Sequence, residues 1–90
     1  MRPQPPAMEC VEIERGQQDA RWGEQNHDSL YWLGILGEEF GEVCKAVIEV
    51  ENVNPEARIE LIRYELVQLA AVAVAFVECI DRNTQLGWAA

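Results

Sequence analysis

Basic residues are scarce in this chain. Its 90 residues include 7 Lys and Arg against 16 Asp and Glu, which gives a formal net charge of −9. A surface that binds nucleic-acid polymers needs a basic patch, so this composition argues against one. A nucleotide substrate stays compatible with the charge if metal ions offset the carboxylates.

Histidine and paired cysteines are scarce as well. The chain has 1 His and 3 Cys, and the cysteines lack CxxC spacing. Zinc and di-iron sites generally draw on more of these ligands, so both are disfavoured. The odd, scattered set of Cys10, Cys44 and Cys79 predicts free thiols in a reducing cytoplasm.

Long apolar runs are absent too. The longest wholly apolar run covers residues 69–77, whereas a membrane-spanning helix needs about 20 residues. The N-terminus is Pro-rich and has no apolar signal-peptide core. The chain also lacks a GxxxxGK[ST] phosphate loop. These absences predict a cytoplasmic protein with no membrane partner.

What the chain does contain is helical periodicity, which predicts one all-α domain over residues 1–90. We expect an antiparallel bundle of a short helix and two long ones, completed by oligomerisation. After a disordered stretch over 1–7, we expect a mostly exposed helix from Met8 to about Ala20 and a loop from Arg21 to Asp28. The second helix is capped by Asp28 or Ser29 and runs to about Glu51. A turn ending in Asn54-Pro55 leads to a third helix from Pro55 to Asp81 or Asn83, and a tail follows over 84–90.

Two further features predict close packing of the long helices. Gly34, Gly37 and Gly41 share one side of the second helix, which favours close approach of a neighbouring helix. The third helix is apolar on both sides from residue 66 to residue 80, and a helix of this kind must be buried on both sides. We therefore expect a partner subunit against its outer side, which carries Ala70, Val74 and Val77.

A carboxylate interrupts the predicted core face of the third helix. At about 100° per residue, Leu61, Val72 and Cys79 point the same way, Glu65 falls in the middle of their arc and Gln68 at its edge. A buried carboxylate is costly unless something compensates its charge. The alternative for Gln68 is a core amide whose hydrogen bonds are satisfied by protein groups.

The second helix carries further carboxylates beside its predicted core stripe. Glu39 borders that stripe. Glu42 lies three residues after Glu39 and four after Glu38, and like charges at these spacings on a helix repel. The predicted stripe comprises Leu36, Phe40, Val43 and Val47. Mg²⁺, which takes oxygen ligands, is the simplest compensator for carboxylates that meet between two helices. The alternative is a solvated acidic face.

A polar and aromatic segment precedes the acidic helix. It contains Trp22, Gln25, Asn26 and His27. An aromatic face with neighbouring amides can stack on a nucleobase and hydrogen-bond its edge. The alternative is a loop in which Trp22 closes the core.

The two acidic patterns resemble the signature of the MazG-like all-α nucleoside triphosphate pyrophosphohydrolases. That signature is EExxE on one helix and ExxD on the next. Residues 38–42 (EEFGE) match the first part, and residues 65–68 (ELVQ) match the second except that Gln68 replaces the family Asp. Residues 18–27 are similar to the lead-in of short, phage- and mobile-element-type members. The resemblance extends from about Arg15 to Arg82.

The resemblance implies hydrolysis of a nucleoside triphosphate to the monophosphate and pyrophosphate by a homodimer or homotetramer. It implies Mg²⁺, with Mn²⁺ as a substitute, held by Glu39, Glu42 and Glu65, with Gln68 at the fourth position. Glu38 would orient or deprotonate the attacking water. Cations near the leaving pyrophosphate are expected to stabilise its developing charge. Lys45 is the cation closest in sequence to the EExxE motif, and Arg58, Arg63 and Arg82 are the other available cations. The competing function is a non-catalytic helical oligomer whose acidic helices bind a partner protein.

Overall fold

The structure, a computed structural model, describes residues 4–49 and 54–84, and within these ranges it contains helices and no β-strand. Helix α1 spans Ala7–Trp22, α2 spans Ser29–Cys44 and continues as a π-helical turn over Lys45–Glu49, and α3 spans Pro55–Thr84. The predicted all-α class is thus confirmed, with three α-helices in the described ranges, and α1 and α2 each have 16 residues. The expected end of the second helix at Glu51 and residues 85–90 of the expected tail lie outside the described residues, whereas Thr84, the first residue of that tail, belongs to α3.

Side-chain caps fix the starts of α2 and α3. Asp28 Oδ1 accepts a hydrogen bond from the Tyr31 backbone N–H at 2.9 Å. Asn54 Oδ1 accepts one from the Ala57 N–H at 2.7 Å, with Pro55 at the first helical position. Each cap stabilises its helix by about 1 kcal/mol. Both start signals read from the sequence are confirmed.

Helix α2 runs antiparallel to α3. At one end of the pair, Cys79 Sγ lies 3.6 Å from the His27 carbonyl oxygen, which accepts its hydrogen bond. At the other end, the Arg58 guanidinium donates to the Val47 carbonyl oxygen. Residues early in α2 therefore meet residues late in α3.

Helix α1 packs along α3 in the opposite sense to α2. Arg63 donates to the Pro5 carbonyl oxygen at 3.0 Å. Further along both helices, Arg15 Nε donates to Glu78 Oε1 at 2.9 Å. Because α1 and α2 both pack against α3, α3 is the central element of an up-down-up arrangement.

Trp32 is the centre of the small apolar core. It is 1% exposed and packs with Val72, Ala75 and Cys79 of α3. Its ring stacks on Phe76 at 5.5 Å between centroids. Of the two tryptophans in the described residues, Trp32 therefore closes the core and Trp22 does not, since Trp22 is 55% exposed.

The face of α2 that meets α3 differs from the predicted stripe. Phe40 and Val47 are 59% and 43% exposed, so their assignment to the core was wrong. Trp32 and Ala46 are buried instead. The largest side chain sets the rotation of the helix, and Glu39, which lies seven residues from each of them, consequently lies on the inward face.

The buried arc of α3 is also rotated from the predicted one. Its buried residues are Ala71, Val72, Ala75 and Cys79. Their mean direction lies about 60° from Glu65, close to that of Gln68. Gln68 is therefore central and Glu65 lies towards the edge, the reverse of the prediction. The reason is that two helices, α1 as well as α2, pack on α3 and widen its buried arc.

One packing expectation is wrong within the chain. A Cβ added at Gly34, Gly37 or Gly41 would meet nothing within 4 Å, so these glycines do not mark a close helix contact. Helix α1 is mostly exposed, as expected, and buries one narrow face, which consists of Val11, Glu14 and Gln18. No helix in the described ranges has the length and apolarity that crossing a membrane requires.

Candidate functional site

A cleft of about 320 Å³ opens where α1 and α2 diverge over α3. Each helix contributes to its walls, and the connection between α1 and α2 contributes Gln25. The lining includes five of the residues predicted to form the site, namely Trp22, Gln25, Glu38, Glu39 and Gln68. The fold therefore brings parts of the lead-in segment and of both acidic motifs to one place.

Glu39 is the carboxylate most affected by this environment. Burial on the inward face of α2 raises its pKa above the ordinary value of 4.5, and the nearby carboxylates of Glu65, Glu42, Glu14 and Glu38 raise it further. Both effects disfavour the charged form. The effect of Glu65 on Glu39 means that the EExxE and ExxQ segments converge across the helix pair.

The pKa of Glu65, on α3, is raised for the same kinds of reason. Burial raises its pKa, and the charge of Glu42 raises it further. Within the described residues no hydrogen bond or ion pair reaches the carboxylates of Glu38, Glu39 or Glu65. Three carboxylates thus converge with no donor among the described residues to compensate them.

Lys45 is the cation that lies next to these carboxylates. Its Nζ is 3.7 Å from Glu42 Oε1, and both side chains are more than half exposed. A solvent-exposed pair of this kind contributes little to stability. Glu38, Glu39, Glu42 and Lys45 together line a second pocket of about 490 Å³.

The donor set fits a hard divalent cation by its chemistry. Carboxylate and amide oxygens are the ligands that Mg²⁺ takes in proteins. In residues 4–49 and 54–84, however, no group of three or more His, Cys, Asp or Glu side chains is already arranged to hold a metal ion. Mutual repulsion favours separated carboxylates when no cation lies between them. Glu38 and Glu42 are exposed, so their side chains are free to turn.

Trp22 and Gln25 form the other end of the cleft. Trp22 projects from the last turn of α1, and the Arg21 guanidinium lies 4.7 Å from the centre of its ring. Gly23, at φ +71°, ends α1 immediately afterwards and turns the chain towards Gln25. An exposed aromatic face beside an amide is available to a planar ligand.

Asn26 and His27 do not line this cleft. The Asn26 side-chain oxygen accepts from Arg82 at 3.1 Å and from Asn83 at 2.8 Å. The His27 ring packs against Trp32 at 5.1 Å and against the neighbouring ring of Tyr31. Both residues hold the connection between α1 and α2 against the end of α3.

The other three predicted cations form hydrogen bonds between separate parts of the chain. Arg58 bonds the Val47 carbonyl, and Arg63 bonds the Pro5 carbonyl and Cys10 Sγ. Arg82 donates to the Gln25 carbonyl at 2.9 Å. These guanidiniums join separate parts of the chain, which leaves Lys45 as the predicted cation nearest the carboxylates.

Sequence reasoning missed the polar face of α1. Glu14 and Gln18 are 8% and 7% exposed, and Arg15 beside them ties α1 to Glu78. A signal was present, because Val11, Glu14 and Gln18 recur at helical spacing. It was obscured because two of the three side chains are polar and the helix lacks an apolar stripe.

Comparisons with known proteins add no relative to this description. No protein-family model, no curated protein and no solved structure matches the chain.

The raised pKa of Glu39 predicts how stability changes with pH when divalent cations are removed. The folded state binds this proton more tightly than the unfolded state, so the penalty is full above the folded-state pKa and disappears as pH falls towards 4.5. The melting temperature in EDTA should therefore rise as pH falls from neutral. Glu39→Gln should flatten the dependence, and equal slopes for the two proteins in calorimetry would contradict the assignment.

Proposed function

We propose that this protein is a Mg²⁺-dependent nucleoside triphosphate pyrophosphohydrolase of the MazG-like type. The observation that carries the proposal is the convergence of Glu39 and Glu65 from two packed helices. Their pKa values are raised by burial and by neighbouring carboxylates, and the same fold places Trp22 and Gln25 in the cleft that Glu39 lines. Perturbed carboxylates beside a cleft are typical of functional sites.

In this proposal Glu39, Glu42 and Glu65 hold the cation, with the Gln68 amide oxygen as a neutral fourth ligand. Bound Mg²⁺ supplies positive charge that neutralises phosphate oxygens, which the acidic surface would otherwise repel. Lys45 adds a mobile cation beside the same carboxylates. In this arrangement α2 contributes Glu39 and Glu42, and α3 contributes Glu65.

Glu38 is the proposed base. It lines both the cleft and the second pocket without a hydrogen-bond partner among the described residues. It accepts a proton from a water molecule, whose oxygen bonds to the α-phosphorus. The bond from that phosphorus to the bridging oxygen breaks, and pyrophosphate leaves with the bridging oxygen. The products are the nucleoside monophosphate and pyrophosphate.

Trp22 and Gln25 are the proposed base-binding residues. Trp22 is 55% exposed, so its ring is accessible to a stacking nucleobase. Gln25 offers a donor and an acceptor to the base edge. Asn26 and His27 then act through the conformation of this segment, since their side chains are engaged elsewhere.

The proposed functional unit is a homodimer or homotetramer in a reducing cytoplasm, where the free thiols of the three cysteines persist. Leu66 and Val77 on the outer side of α3 are 48% and 53% exposed. Leu30, Leu33 and Phe40 on the outer side of α2 are each more than half exposed. A second copy that covers these faces would complete a core that is small for one chain.

Gln68 provides a test of the cation site. Gln68→Asp and Gln68→Glu restore a charge at a central position of the α3 face, and more charged ligands bind divalent cations more tightly. At least one variant should reach half-maximal activity at a lower Mg²⁺ concentration than the wild type. Glu is included because the Asp side chain is one methylene shorter. If both variants melt lower in excess Mg²⁺ and neither lowers the requirement, Gln68 is not a ligand.

The exposed apolar rows on α2 and α3 also fit the competing function, a non-catalytic helical module that binds a partner protein. Pyrophosphate release from a panel of ribo- and deoxyribonucleoside triphosphates separates the two functions. The enzyme releases pyrophosphate with Mg²⁺ and stops when EDTA is added. The binding module releases none from any member of the panel.

A further inference from the structure

We propose that Gln18, on the inner face of α1, binds the edge of the nucleobase and selects a ring carbonyl over an amino group. Arg15 acts through Gln18 as a positioning residue, because it sets the orientation of the Gln18 amide. The inference rests on the proposed hydrolysis of nucleoside triphosphates and deepens it, since it names the class of base that the cleft accepts.

Gln18 is a buried polar residue in the wall of the cleft. It is 7% exposed and lines the cleft together with Trp22 and Glu39. Gln18 and Trp22 are four residues apart on α1, so their side chains are neighbours on one face of the helix. A base stacked on the exposed Trp22 ring, with its sugar and phosphates extended towards Glu39, would therefore present its edge remote from the sugar to the more deeply buried Gln18.

Arg15 determines which atom of the Gln18 amide remains for a ligand. Its Nη1 donates to Gln18 Oε1 at 3.0 Å. A guanidinium has donors only, so the amide atom that faces it must be the oxygen. Arg15 is itself held by Glu78 Oε1 at 2.9 and 2.6 Å and by Asp19 Oδ1 at 2.9 Å. A half-turn of the amide would bring two donors face to face, and the network disfavours it.

The amide nitrogen of Gln18 is left available. Within the described residues Gln18 Nε2 donates to no protein acceptor. It is not enclosed either, because the fully buried side-chain nitrogen and oxygen atoms without a partner in these ranges are His27 Nε2 and Trp32 Nε1. Since Gln18 lines the cleft, its N–H groups can reach a ligand there. A donor in a fixed orientation pairs with a carbonyl oxygen and opposes an amino group.

Gln25, the other amide near Trp22, does not impose this choice. Its backbone carbonyl accepts from Arg82 at 2.9 Å, but no hydrogen bond reaches its side-chain amide within the described residues. That amide can turn to present either its oxygen or its nitrogen to a base. Selection between a carbonyl and an amino group therefore falls to Gln18, whose orientation is fixed.

The test compares UTP with CTP and inosine triphosphate with ATP, because each pair exchanges a carbonyl for an amino group at the edge remote from the sugar. For the full chain with Mg²⁺, kcat/KM from pyrophosphate release should favour the carbonyl base of each pair by at least about fivefold. Gln18→Glu presents an acceptor instead of a donor and should invert both preferences. Gln17→Glu adds the same charge at the exposed position beside it and should leave both ratios unchanged.

The outcomes separate this inference from the function on which it rests. Equal rates within each pair, or ratios that Gln18→Glu does not change, overturn the role of Gln18 and leave the hydrolysis standing. Absence of turnover of all four nucleotides overturns both. If circular dichroism shows that Gln18→Glu does not fold, Arg15→Met decides the matter, because the amide is then free to turn. Ratios that fall towards one support the role of Gln18, and wild-type ratios overturn it.

Discussion

Glu39→Gln is expected to abolish turnover while the helices remain folded and melt at a higher temperature without divalent cations. The substitution removes a proposed ligand and, at the same time, removes a charge that burial and four neighbouring carboxylates disfavour. We expect activity to fall at least about a hundredfold, the range seen when a group that stabilises transition-state charge is lost. Steady-state pyrophosphate release and circular dichroism melts measure the two effects.

The opposite signs of these effects make the result specific. Glu42→Gln should behave in the same way, although with a smaller gain in melting temperature because its side chain is 53% exposed. Glu9→Gln, at an exposed position in the first turn of α1, is the matched control and should leave activity unchanged. Wild-type turnover in both Glu39→Gln and Glu42→Gln would refute the assignment of these residues as ligands.

Val77→Glu is expected to dissociate the proposed oligomer. Val77 is 53% exposed on the outer side of α3, so a glutamate there is solvated in the free subunit. In the proposed interface the same carboxylate would be buried and unpaired, at a cost of about 3–5 kcal/mol. That corresponds to a rise of more than about a hundredfold in the dissociation constant. Sedimentation equilibrium at micromolar concentration should show wild-type dimers or tetramers and Val77→Glu monomers.

Met8→Glu is the control for that experiment. Met8 is 70% exposed on α1, away from the outer side of α3, so the same change of an apolar residue to glutamate should leave the assembly intact. A wild-type chain that sediments as a folded monomer would contradict the oligomer. A Val77→Glu protein that sediments as an oligomer of the same size as the wild type would also contradict it, because the interface would then tolerate a charge at this position.

The elements of the fold could be predicted because local signals mark them. Asp28 and Asn54 precede apolar periodic segments and cap them as expected. Gly23 and the polar residues after it mark the break between α1 and α2. These signals lie within a few residues of the features they determine, so they can be read without knowledge of the tertiary contacts.

The rotation of each helix could not be predicted in the same way. The apolar residues of α2 extend around much of the helix, so periodicity alone did not show that Trp32 faces α3 and Phe40 faces out. On α3, packing by α1 widened the buried arc and placed Gln68 at its centre. The direction of a helix with apolar residues on several sides depends on its neighbours and on the largest side chain that must be buried.

The candidate site was likewise predictable only in part. The convergence of Glu39 with Glu65 followed from placing two acidic patterns on adjacent helices. The burial of Glu14 did not, because α1 has few apolar residues to identify its inner face. Asn26 was assigned to the base pocket from composition, whereas its side chain bonds Arg82 and Asn83 across a long sequence separation. Contacts between distant residues decide which polar side chains remain available to a ligand.

The proposed reaction is tested most directly by identifying its products. The purified full chain is incubated with a nucleoside triphosphate and Mg²⁺, and the nucleotides and phosphates are separated by anion-exchange chromatography. We predict equal amounts of nucleoside monophosphate and pyrophosphate, with neither formed in EDTA or by Glu39→Gln. Intact triphosphate across all common bases and both sugars, or diphosphate with inorganic phosphate, would contradict the proposed function.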